Sequence, residues 1–326
     1  MKKNILALLF LLLMPFGMNV YGQSNYVSFD ISDGIYNASL KSKMERTVSS
    51  LLTEMNSAFK QNRPLRLDGM NMTADAKKQI NMLWDNVHLC CNEPEVVEHG
   101  LTTNHGYQVR NIPFVMQPVG EDASKREYQE VVMDFSKTGV LESFYLTISM
   151  NMYSKVMANK TEVKDVRRRM EILDYVEHFR TSYNQKDMAF LKQVFSDDAL
   201  IITGRVIKVQ KSDVFPSGSK IIYHKQTKQQ YLANLAQSFK ANKYIHVLFD
   251  DIKVVKHPSK DNVYGVTVHQ SWHSSKYHDE GYVFMIWDFT NEDMPKIHVR
   301  TWQPENIGDG KKLPKNEVFN LGDFDL

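Results

Sequence analysis

The sequence predicts an α+β protein built as two units, each a set of helices followed by an antiparallel sheet. Three observations carry the prediction. Apolar residues recur at helical spacing in 40–59 and again in 163–184. Each stretch is followed by runs rich in β-branched and aromatic residues, joined by hairpin-length turns. Between the two sets, 155–163 turns polar, and the boundary falls there. With 326 residues, the chain is long enough to bury two ordinary cores.

In the first unit, Met44, Val48, Leu51, Leu52, Met55 and Phe59 form one helical stripe, and Asn62-Arg63-Pro64 ends it. A second helix starts near Thr73, a good N-cap, and carries Ile80, Leu83 and Trp84. Strands are expected at 107–116, interrupted by Pro113, and at 127–135 and 141–150 around a Lys137-Thr138-Gly139 turn. In the second unit, Val166, Met170, Leu173, Val176, Phe179 and Tyr183 share one helix face. Asp187 caps a short helix bearing Leu191, Val194 and Phe195, and 199–202 is a strand. A third helix spans 227–241, and strands follow at 244–255, 263–274, 282–289 and 296–303. The tail, 307–326, is polar and expected to be extended. The repeated helix-then-sheet order leaves a divergent tandem duplication open.

The N-terminus has the layout of a signal peptide over 1–22. Lys2 and Lys3 precede an apolar run of about ten residues, too short to span a bilayer. Val20-Tyr21-Gly22 suits cleavage before Gln23, and this start resembles exported proteins of Bacteroidetes-type bacteria. The expected location is the periplasm or the exterior, without a transmembrane segment after signal removal. The domains expected are 23–158 and 163–306. Without Lys2 and Lys3, 38 basic residues face 38 acidic ones, so no global field draws nucleic acid or an anionic membrane. Arg167-Arg168-Arg169 reads as a solvated helix face. Cys90 and Cys91 are adjacent and read as small buried hydrophobes rather than a disulfide framework.

The segment Tyr183-Asn184-Gln185-Lys186-Asp187-Met188, leading to Phe195-Ser196-Asp197-Asp198-Ala199-Leu200, resembles the nuclear transport factor 2-like superfamily over about 165–305. That group includes ketosteroid isomerases and SnoaL-like proteins. The resemblance implies a sheet curled around three helices, leaving a cone-shaped apolar pocket, and a dimer through the open sheet face. It also implies where an isomerase would hold its catalytic groups. Phe179 stands at the oxyanion tyrosine, Thr203 at the base aspartate and Met285 near the late-strand aspartate. None of the three can do that work, so isomerase chemistry of that type is not expected.

Candidate pocket residues are Phe179, Tyr183, Thr203, Trp272, Met285 and Trp287. A His, Asp and Arg converging in a cone would suit hydrolysis or proton transfer, which makes His269, Asp288 and Arg300 the weak catalytic candidates. His269 and His273 lie about 13 Å apart along a strand and cannot share an ion. His273 and His278, with Asp279 and Glu280, read as an exposed hairpin tip, and neither metal nor cofactor is expected. The reading is a non-enzymatic binding module holding a small apolar ligand in the cone, or a protein partner on its sheet. The alternatives are a small hydrolase or lyase using a His/Asp pair, and an envelope scaffold whose cone is plugged by its own side chains.

Overall fold

The computed structural model describes residues 25–158, 163–209 and 218–325. The expected signal peptide and part of the expected boundary lie outside them. Strand β1 (Ser28–Ile31) opens the described chain, in a stretch the sequence reading left without structure. Helix α1 (Ala38–Gln61) starts where the Asn37 side chain accepts from Leu40 N, and it ends at Asn62 in the left-handed region, φ 48°. Its predicted stripe is buried, from Met44 to Met55. Helix α2 (Ala74–Trp84) is capped by Thr73 as expected.

Strands β2 (Val87–Cys90), β3 (Glu95–Glu98), β4 (Gly100–Thr102), β5 (Gly106–Pro118), β6 (Glu127–Ser136) and β7 (Leu141–Leu146) follow. They form a sheet in the order β2-β5-β6-β7, with β4 on β5 and a separate parallel pair β1-β3. Strand β5 runs through Pro113 without breaking. β2 pairs with 115–118 and β4 with 107–109, so no ladder partner on that edge needs the missing N–H. The strain appears two residues earlier, as a bulge at Arg110 and Asn111, with Asn111 at φ 64°. The stretch expected to continue as strand to 150 and then as a polar linker contains helix α3 (Met150–Ala158).

Helix α4 (Val166–Asn184) begins at the N-cap Asp165. After it come α5 (Met188–Val194), β8 (Phe195–Val209), β9 (Gly218–Thr227), α6 (Lys228–Ala241), β10 (Ile245–Lys256), β11 (Val263–Ser274), β12 (His278–Asp288) and β13 (Lys296–Pro304). Their sheet order is β10-β11-β12-β13-β8-β9, with β13 and β8 parallel. That order differs from the first sheet, so the two units are not copies of one topology. The inner face carries Ile201, Val247, Val266, Val268, Met285 and Trp287 and packs on the helices. The outer face carries Val263, Phe284, Ile286 and Val299.

The tail corrects the expectation of a polar extension. Phe319, Leu321 and Phe324 pack onto that outer face, and Gln303 ties the strap down by donating to Glu317 O (3.0 Å) and accepting from Phe319 N (2.8 Å). Gly265 is required there, since a Cβ would lie 2.7 Å from Leu321 Cγ.

Helix α4 lies between the two sheets and is buried on almost every side. Its polar residues close two edge strands that would otherwise present unpaired backbone. Thr181 Oγ1 accepts from Leu146 N (2.9 Å) and Glu177 Oε1 from Ile148 N (2.9 Å). Asn184 Oδ1 accepts from Val247 N (2.8 Å), and Arg180 donates to Val247 O, Thr147 O and the Gln129 amide oxygen. The first unit therefore packs on α4 and the edge strand β10, while the tail covers the outer sheet face. No helix among the described residues is long and apolar enough to cross a membrane.

Candidate functional site

Strand alternation and the helices decide what the cone contains. Deep in it, Phe179 meets Tyr183, Phe195, Phe249 and Trp287 at ring separations of 5.1–6.4 Å. Phe179, Met285 and Trp287 have no exposure and serve as packing. The α6 end is more polar. Tyr183 Oη lies 2.8 Å from Tyr231 Oη. Arg300, opposite Met285 on β12 and Ile201 on β8, points to the same side, towards the Tyr183 hydroxyl. Its guanidinium carbon sits 5.3 Å from the centroid of the Tyr231 ring. Half-buried Trp272 and Trp302 pack at this end, and Thr203 accepts from Gln226 Nε2 (3.0 Å).

Arg300 is only 6% exposed, yet among the described residues it has no ion-pair partner, and its Nε has no hydrogen-bond acceptor. Every other arginine buried to this degree is partnered by a carboxylate or by backbone carbonyls: Arg110, Arg168, Arg169 and Arg180. Trp287 Nε1 is a second buried donor without an acceptor. Burial, and then the Tyr231 hydroxyl beside it, push the Tyr183 phenol well above its ordinary range. No buried Asp, Glu or His joins this face among the described residues. Among the described residues this face presents hydrogen-bond donors and no carboxylate or imidazole.

The catalytic candidates do not converge. Arg300 faces inward, whereas His269 and Asp288 lie on the outer face. His269 Nδ1 is 2.9 Å from Asp250 Oδ1, with Glu305 3.7 Å from Nε2. The Asp250 hydrogen bond raises its pKa. Burial opposes ionisation of Asp288, but the Thr290 hydroxyl and N–H hold its carboxyl below the usual range, and His298 lies 3.5 Å away. The His273 and His278 ring centroids lie 4.2 Å apart with the planes tilted by 33°. No group of three metal-ligating side chains is assembled among the described residues.

A second concave site, not foreseen from the sequence, lies between the two units. It is a cavity of about 510 Å³ walled by Tyr175, Phe190 and Phe135, with Asp134 and Asp174 at its floor. Gln108, 1% exposed, donates from one Nε2 to Asp134 Oδ1 (2.9 Å) and Asp174 Oδ1 (3.4 Å). Arg110 Nη1 also reaches Asp174 (3.2 Å), while its Nη2 is committed to both oxygens of Glu177 (2.7 and 2.9 Å). Burial raises the Asp174 carboxyl well above the carboxylate range. Arg110 opposes this, and the neighbouring Asp134 reinforces it.

No family model and no curated protein sequence matches the chain. Among solved structures it is similar to Bd1075 of Bdellovibrio bacteriovorus, with 17% identity over 44% of this chain and 42% of that one, TM-score 0.33. The chain thus spans less than half the length of that protein. It is also similar to a nuclear transport factor 2-like protein of Cytophaga hutchinsonii, with 17% identity over 42% of this chain and 97% of that one, TM-score 0.31. A member of the same family from Streptomyces avermitilis, described as a candidate dehydratase, shares 13% identity over 41% of this chain and 94% of that one, TM-score 0.31. The likeness is one of fold and carries nothing about ligand or chemistry. The C-terminal unit has three helices on the concave side of a six-stranded sheet.

Proposed function

We propose that the protein is an exported, non-catalytic binding module that holds a small apolar ligand by an anionic group at the α6 end of the cone. Arg300 is the observation that carries this reading. A guanidinium buried to 6% exposure without a counter-charge costs several kcal/mol to keep out of water. A ligand carboxylate would supply the missing charge and meet the planar fork of donors. The Tyr183 and Tyr231 hydroxyls would add neutral hydrogen bonds, and Trp272 and Trp302 the apolar walls. Binding rather than turnover is favoured because, among the described residues, this face buries no carboxylate or histidine to act as a base. Export rests on the Lys2-Lys3 and 5–14 pattern.

Titration of the full mature chain with decanoate, and with decan-1-ol as its neutral counterpart, tests the reading. The expected result is quenching of the tryptophan fluorescence by decanoate in the micromolar range and much weaker binding of the alcohol. In Arg300→Met, decanoate should lose about 2 kcal/mol or more of affinity. If neither compound binds, or both bind equally to the two proteins, the cone is a plugged scaffold and the proposal fails.

A further inference from the structure

We propose that the outer edge of β9 is a docking site for an acidic, extended segment of a partner protein, which adds to the sheet as a further strand. β9 is the last strand of the six-stranded sheet and pairs on one side with β8. That pairing runs from Leu200↔Thr227 to Val209↔Gly218 without a bulge. The backbone groups of successive β9 residues therefore point alternately towards β8 and away from it. Two contacts fix which set points away: Ser219 N donates to Asp309 Oδ2 (2.8 Å) and Thr227 N to Gln230 Oε1 (3.0 Å). By the same alternation the N–H and C=O groups of Ile221, Tyr223 and Lys225 face outward, and among the described residues neither a strand nor a side chain closes them. Other edges of the fold are treated differently. β7 and β10 are closed by α4, and along β1 the N–H groups of Phe29 and Ile31 are taken by Ser49 and Glu45 of α1. The open stretch is also held in place, since Tyr223 Oη accepts from Gln303 Nε2 (2.9 Å) and its ring lies 5.2 Å from that of Phe319.

Charge selects the occupant. Arg205 and Lys208 of β8 and Lys220 and Lys225 of β9 are exposed, and none has an ion-pair partner among the described residues. The carboxylates of these two strands, Asp197 and Asp198, lie at the far end of β8 and are held by Lys228 and Ser196. In a chain of 40 basic and 38 acidic residues, the hairpin is thus a local excess of positive charge. Along β9 the cations flank an apolar centre: Lys220 precedes Ile221-Ile222-Tyr223, and His224 and Lys225 follow. Lysines on an edge keep like copies apart, because pairing β9 with β9 of a second copy would bring both sets of cations to one junction. An acidic strand meets the opposite case. Main-chain hydrogen bonds to Ile221, Tyr223 and Lys225 supply the pairing, and the flanking cations supply the preference for carboxylates. The segment that fits opposite 219–225 therefore has acidic residues at both ends and an apolar centre.

Fluorescence anisotropy of a labelled Glu-Glu-Val-Tyr-Val-Glu-Glu peptide on the full chain tests the site. The controls are Lys-Lys-Val-Tyr-Val-Lys-Lys, which reverses the charge, and Glu-Glu-Pro-Tyr-Pro-Glu-Glu, which keeps the charge but cannot form a strand. The acidic peptide should bind saturably, and each control should be weaker by about 10-fold or more. Hydrogen exchange at the amides of Ile221, Tyr223 and Lys225 should slow when the acidic peptide binds, whereas a peptide held by charge alone would leave it unchanged. Lys225→Pro removes one outward N–H and spares the ladder with β8, and should weaken the acidic peptide by about 10-fold or more. Lys225→Thr removes the charge and keeps the N–H, and should weaken it by about two-fold to three-fold. The exchange measurement uses the unmutated chain, so it decides the matter even if Lys225→Pro does not fold. Arg300→Met should leave peptide binding unchanged, which separates this site from the cone. Absence of binding, equal binding of the acidic and basic peptides, or unchanged exchange at the three amides would overturn the proposal. Protection of those amides in the free protein that rises with its concentration would overturn it as well, by assigning the edge to a second copy.

Discussion

Glu177 on α4 offers a direct measure of what joins the two units. Its side chain has no exposure, accepts two bonds from Arg110 and a third from Ile148 N. Replacing it with alanine leaves a guanidinium 5% exposed with only the Nη1 contacts to Asp174 (3.2 Å) and the Gln108 amide oxygen (3.1 Å), and a buried N–H without an acceptor. Breaking a buried pair by removing one partner costs about 3–5 kcal/mol, and an unmet buried donor about 1–3 kcal/mol. Asp174 recovers part of the first term, so Glu177→Ala should destabilise by about 3–4 kcal/mol. Glu177→Gln keeps an acceptor for Ile148 N and one bond to Arg110, and should cost about half as much. Arg110→Met with Glu177→Met removes both charges together. The double variant should be more stable than the sum of the single changes predicts, by about 2 kcal/mol or more. The assay is urea unfolding followed by far-ultraviolet circular dichroism and by tryptophan fluorescence. Because α4 is shared, the two probes should report one transition in the wild type. A loss below 1 kcal/mol for Glu177→Ala, or additive single changes, would refute this account of the junction.

Three further outcomes follow from the same geometry. Gly265→Val drives a side chain into Leu321, so hydrogen exchange over 311–325 should rise and trypsin should cut near Lys311 and Lys312, with the sheet itself still protected. His246 is 3% exposed at its side chain with Nε2 unpartnered; burial, then Arg180 and His273, lower its pKa to about 3, although Glu127 lies 3.2 Å from Nδ1. Its folded value lies below the unfolded one, so its contribution is complete above about pH 6.5 and is lost as the pH falls towards 3, amounting to about 2 kcal/mol by pH 5; His246→Gln should flatten that part of the pH profile in urea titrations. Cys91 is 4% exposed and burial pushes its thiol up to about 11, so Ellman's reagent at pH 8 should not modify it until the chain unfolds.

What the sequence showed follows from which forces act locally. Helix caps and stripes depend on neighbours within one turn. Thr73 and Asp187 were therefore readable as caps, and Met44 to Phe59 as one apolar stripe, which is buried from Met44 to Met55. The last four strands were equally plain, because β11 and β12 are runs rich in β-branched and aromatic residues, although 283–287 is buried on both faces. β9 was missed because its residues are largely exposed and carry no apolar alternation. α3 was missed because nine residues are too few to show a helical period and its end runs into the polar Asn159-Lys160-Thr161. The tail misled because Phe319, Leu321 and Phe324 are spaced as a strap and obey neither the helical nor the strand period.

The sites were legible only in part. Tyr183 and Thr203 could be placed near the cone from the motif, and Trp272 as one of the sheet's aromatics. The orientation of Arg300 depended on a bulge between Ile297 and Val299 that periodicity does not reveal. Arg300 was considered beside His269 and Asp288, but a β-strand turns successive side chains to opposite faces, and only Arg300 is inside. The cleft was invisible because its residues come from β5, β6 and α4, far apart in the chain. Gln108 and Asp174 are 66 positions apart and meet only through the packing of one unit on the other.

The central claim is that Arg300 awaits an anion, and native mass spectrometry of the mature protein taken from its own host compartment tests it most directly. The account predicts a bound small acid on the wild-type chain that is absent from Arg300→Met, with both proteins folded. A wild-type chain that stays free of ligand there, and also ignores decanoate, would contradict the claim.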